Sequence, residues 1–135
     1  MNSIKLFLLL VFCSLTVQAQ LAVTVSAAQI IGQKAIVPLT ITNNLAESVE
    51  SARAVCFLLD EQGKMIGQST KWVIGGTKDR PALQPKTGTT FNFVITSPQP
   101  FITTNLTAQV SFSRLVLDGR KFANPKTDVQ IQNRK

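Results

Sequence analysis

Alternation of apolar and polar residues with period two runs along most of this chain, and helical spacing nowhere competes with it. Leu21, Val23 and Val25 mark one face of a first strand, which Ile30 and Ile31 extend after a break at Ala27–Ala28. Val37, Leu39 and Ile41 alternate with Pro38, Thr40 and Thr42 in a second strand. Proline has no N–H for a ladder bond, so this strand is expected at a sheet edge or with a bulge at Pro38. Asn43–Asn44 supplies turn chemistry after it, and residues 45–51 read as a loop.

Strands over 51–59 and 64–74, joined by Asp60-Glu61-Gln62-Gly63, make the clearest long hairpin. The Asp60 carboxylate is expected to accept local backbone N–H groups in that turn. A polar loop follows from Gly75 to Gly88, broken by Pro81 and Pro85, before Phe91, Phe93 and Ile95 alternate in the next strand. Leu106, Ala108, Val110 and Phe112 then share a face, and after Arg114 the pattern moves to Leu115 and Leu117. A one-residue phase change of this kind is what a bulge produces. Asp118–Gly119 signals a tight hairpin, and Val129 and Ile131 mark a last strand at 128–132. About seven short strands with no convincing helix predict one antiparallel two-sheet sandwich of immunoglobulin-like type.

One strand departs from the pattern. Ala52 to Leu59 is apolar on both faces, with Val55, Phe57 and Leu59 on one and Ala54, Cys56 and Leu58 on the other. A solvated sandwich needs only one apolar face per strand. Bulk turns Val55, Phe57 and Leu59 inward, leaving Cys56 and Leu58 under a covering loop or on a partner surface.

The first residues, MNSIKLFLLLVFCSLTVQAQ, change the picture by giving an address. Lys5, the apolar run Leu6–Leu15 and Val17-Gln18-Ala19 have the order of a secretory signal peptide cleaved after Ala19. The apolar run is shorter than the ~20 residues a spanning helix needs, and Phe12 sits where a lipoprotein site before Cys13 needs a small residue. Residues 20–135 then form one domain, long enough to bury roughly 65% of its unfolded surface. No later segment reads as a membrane-spanning helix. The expected location is the periplasm or the cell exterior.

Export permits disulfides, yet the mature chain keeps Cys56 alone, so no intramolecular bridge can form. Lysines and arginines outnumber acids, 14 to 7, but they are scattered rather than clustered. Attraction to anionic envelope polymers fits that balance. Nucleic acid does not, because few aromatic side chains offer stacking platforms.

With no histidine and no tyrosine, the chain lacks the groups for Ser-His or Cys-His nucleophiles and imidazole metal ligation. One cysteine cannot build a structural zinc site. The seven carboxylates fall mostly in predicted turns and suggest no glycosidase pair. Neither an enzyme nor a cofactor is expected. Asn105-Leu106-Thr107 matches a glycosylation sequon by chance.

Thr42-Asn43-Asn44, then Cys56-Phe57-Leu58-Leu59-Asp60, Gly63, Leu83-Gln84-Pro85 and Phe91-Asn92-Phe93 follow one another in a distinctive order. This order resembles the small bacterial immunoglobulin-like domains of FxLYD type. In the F-x-L-Y-D place Leu58 and Asp60 agree, and Lys86 stands where those domains have the glycine of L-x-P-G. The resemblance implies the same sandwich, turns Cys56 and Leu58 inward against the argument from bulk, and brings no catalytic residue. It implies an accessory or interaction module of the bacterial envelope.

Two candidate surfaces follow. One is the Ala54–Leu58 strand face with Cys56 and Leu58. The other is the loop Gly75, Gly76, Lys78, Asp79 and Arg80 beside Trp72, since binding residues concentrate on loops held by rigid scaffolds. The expected partner is an envelope protein. The alternative is an anionic or glycan polymer bound from Trp72 to Arg80, with the glycine amides and the guanidinium turned toward it.

Overall fold

The structure is a computed structural model that describes residues 19–134. The expected leader, up to its last residue Ala19, lies outside the described residues. Nine strands pair into two sheets: β1 (Leu21–Val25), β2 (Gln29–Ile31), β3 (Lys34–Asn43), β4 (Val49–Leu59), β5 (Met65–Ile74), β6 (Gly88–Thr96), β7 (Thr107–Leu117), β8 (Lys121–Phe122) and β9 (Val129–Asn133). In the first sheet β6 lines one side of β3, β1 and β2 take successive stretches of its other side, and β9 lies beyond β1. The second sheet runs β5-β4-β7-β8. This is the expected all-β sandwich, with β2 and β8 as short additions to the seven strands read from the pattern.

Burial follows the alternation. β1, β3 and β6 send Leu21, Val23, Val25, Val37, Leu39, Ile41, Phe91, Phe93 and Ile95 into one core, which Val110, Phe112, Leu115 and Leu117 of β7 complete. The phase change after Arg114 is a bulge: Arg53 pairs with Arg114 while Ala54 pairs with Phe112, leaving Ser113 as the extra residue. That residue returns Leu115 and Leu117 to the core side. The sheets approach closely at Gly67, where a Cβ would lie 2.8 Å from the Ile95 Cγ2.

Three expectations are corrected. Pro38 sits in a strand paired on both sides. Its carbonyl accepts from the Ser26 N–H, so its missing donor faces the gap between β1 and β2, where no ladder bond is due. The final strand pairs in parallel with β1, Leu21 with Val129 through Val25 with Asn133. A one-turn helix, α1 (Pro125–Asp128), carries the chain between the sheets and turns it into that direction. Asn124 caps it by accepting from the Lys126 N–H, and Asp128 accepts from the Asn124 N–H in return.

The third correction concerns β4. Ala52, Ala54, Cys56 and Leu58 are fully buried, and Val55, Phe57 and Leu59 lie half-buried on the outer face. The argument from bulk fails because β4 is a central strand pressed close to the opposite sheet. Small side chains suit that approach, while the large outer ones lie between Gln68 and Thr70 of β5 and Gln109 and Ser111 of β7. Cys56 and Leu58 are therefore core residues rather than a partner surface.

Candidate functional site

The two ends of the sandwich differ. One end gathers the Gly32 turn, the Asp60–Lys64 turn and the long connection from Ser97 to Leu106. The other gathers the Asn44–Ser48 connection, the Gly75–Thr87 loop, the Asp118–Arg120 turn and α1.

At the second end, the predicted loop residues do not converge. Gly75 is buried with positive φ, and a Cβ there would run into the Glu50 carbonyl oxygen. Gly76, also at positive φ, lies so close to the Trp72 indole that any Cβ would strike the ring. Both glycines are explained by close packing. Arg80 turns back over the core, its Cζ 4.5 Å from the Phe91 ring centroid. Asp79 and Arg80 border an opening of about 310 Å³ with Val73, Ile74, Leu83 and Gly88, while Lys78 points away, exposed.

The frame of this end is Asn43, the one buried polar side chain among the described residues. Its amide donates to the carbonyls of Glu47 and Leu83, both at 3.0 Å, and its Oδ1 accepts from the Leu45 N–H at 2.9 Å. One side chain thereby ties two connections to the end of β3.

Trp72 joins a different set. It pairs with Arg53 across β5 and β4, and the Arg53 guanidinium lies 5.7 Å from the indole centroid. Arg53 pairs in turn with Arg114 on β7, whose guanidinium lies 5.3 Å from the Phe122 ring on β8. The result is a row of aromatic, arginine, arginine and aromatic side chains across the outer face of all four strands. Sequence reasoning missed Arg53, Arg114 and Phe122. The available signals were an arginine interrupting the apolar Ala52–Leu59 run and another at the bulge.

The first end is apolar. Ile102 is fully exposed at the tip of the long connection, with Met65 (51% exposed) and Ile66 (40% exposed) beside it. A groove of about 530 Å³ runs between Ile66 and the Pro100-Phe101-Ile102 segment, with Asp60, Glu61 and Gln62 along its rim. The connection is anchored: Ser97 N–H donates to the Gln33 carbonyl, Phe101 N–H to Gly32, and the Thr103 hydroxyl to the Glu61 carboxylate. Asp60 accepts from the Gln62 and Lys64 N–H groups, both at 2.9 Å, as its turn position implied.

Burial pushes the Cys56 thiol up to about 11, which makes it a poor nucleophile. No described helix is long and apolar enough to cross a membrane. No protein-family model, curated protein or solved structure matches the chain, so its likeness to the FxLYD-type domains rests on the motifs alone.

Proposed function

We propose that this chain is an exported, non-enzymatic interaction module of the bacterial cell envelope, which holds a protein partner at the apolar end of its sandwich. The observation that carries the reading is Ile102, a large apolar side chain left fully in water on a connection tied down at both flanks. Large apolar residues clustered on an otherwise polar surface mark interaction sites. The groove beside it joins apolar walls to two carboxylates on its rim. It suits a partner segment that inserts an apolar side chain and sets a basic or N–H donor group against Glu61.

The carboxylates support a non-catalytic role. Asp60, Asp128 and Glu50 accept backbone N–H groups, Glu47 pairs with Lys121, and Glu61 accepts from Thr103. Each is occupied in holding a turn, cap or strand end. The leader and the motif likeness support the envelope as its place.

Ile102→Glu tests the reading. The side chain contributes nothing to the core, so the variant should melt within about 2 °C of the parent. Tagged parent protein should hold an envelope partner that Ile102→Glu releases. Equal retention by both would sink the proposal.

A further inference from the structure

Arg53 and Arg114 face each other directly across β4 and β7, both exposed, on the outer face of the second sheet. Like charges placed opposite in an antiparallel pair repel. Nothing local relieves that repulsion: among the described residues the one ion pair is Lys121 with Glu47, and Glu50, the nearest carboxylate along β4, accepts the Arg120 N–H. Lys71 and Arg120 add positive charge nearby, and Asp118 in the β7–β8 turn is the remaining acid.

The aromatic residues hold the guanidiniums in place. Trp72 is backed by Gly76, whose lack of a Cβ lets the backbone lie on the indole, and Arg53 takes the ring from its own side. The indole is thus a support for the arginine and not a free platform for a sugar. Phe122, 68% exposed, serves Arg114 in the same way from a two-residue strand. Stacking leaves the N–H edges of a guanidinium free for hydrogen bonds. Cross-strand neighbours have Cβ atoms about 5 Å apart, so two such edges can close on one oxyanion.

We propose that this row is a binding site for an acidic polysaccharide, with Arg53 and Arg114 sharing one carboxylate or sulfate group of the chain. The neighbouring positions on the same face, Gln68, Thr70, Gln109 and Ser111, are neutral and polar. The positive charge therefore forms a single line across the strands. A linear polyanion laid along it meets that charge, whereas a planar anionic bilayer needs charge spread over the face. The site lies roughly 20 Å from the apolar groove along β4, counting about 3.3 Å per residue from Arg53 to Leu59. It does not depend on the protein partner proposed above.

The test is retention of the purified protein on immobilised polygalacturonate and heparin at increasing salt, against neutral dextran and phosphatidylglycerol vesicles. Retention on one or both acidic polymers but not dextran is expected, the pair distinguishing carboxylate from sulfate. Arg53→Gln/Arg114→Gln should weaken it about tenfold or more, since two charged hydrogen-bond donors are lost. Phe122→Ala, which frees Arg114 without removing charge, should weaken it about threefold. Lys126→Gln/Arg134→Gln removes the same charge elsewhere and should change it less than about twofold. Equal losses in the two double variants would show unspecific attraction and overturn the site. So would absence of retention at low salt, or equally tight vesicle binding with the same arginine dependence. Ile102→Glu should leave retention unchanged.

Discussion

Asn43 has its whole amide committed, so Asn43→Ala strands the Leu83 and Glu47 carbonyls and the Leu45 N–H in a dry place. A loss of about 2–3 kcal/mol in urea unfolding is expected. Cys56 is buried without polar need, and its thiol titrates near 11 in the folded protein against 9.0 when free. Because the folded value is raised, ionisation favours the unfolded chain. The contribution is whole below pH 9, falls by about 2 kcal/mol as pH rises to 11, and is absent from Cys56→Ala. Native Cys56 should also resist a thiol reagent at pH 8 and react on unfolding. At this scale the sequence was legible where chemistry was local, as in the Asp60 turn. It was not legible where a residue's meaning lay across the sheet: nothing along the chain says that Arg53 meets Arg114.

Among the elements, β4 and β7 teach most. Alternation placed the strands and even the Ser113 bulge, because a phase change survives in the order of residues. It did not choose the buried face of β4, since both faces are apolar and the answer depends on how near the opposite sheet lies. The motif likeness, which turned Cys56 and Leu58 inward, agreed with the observed burial where side-chain bulk did not. Deleting Ser113 should rotate Leu115 and Leu117 onto the solvent face and leave the protein unfolded by circular dichroism. The Gly75–Arg80 loop was expected to present its glycine amides, but close packing requires those glycines instead. Gly75→Ala, forced against the Glu50 carbonyl at positive φ, should cost about 3 kcal/mol or more.

The molecule as a whole joins a well-satisfied interior to two surfaces that folding leaves unsatisfied. Every buried side-chain polar atom among the described residues has a partner. The exposed Ile102 and the facing arginines do not contribute to stability in the same sense. Arg53→Gln/Arg114→Gln should accordingly unfold no earlier in urea than the parent, because a repulsive pair is removed. The central claim is that the apolar end holds a protein. A photoreactive residue placed at Ile102 in cells carrying the full chain, with a second placed at Asn92 on the outer face of β6, tests it most directly. The account predicts one discrete protein adduct from position 102 and none from position 92. No adduct from 102, or the same adduct from both, would contradict it.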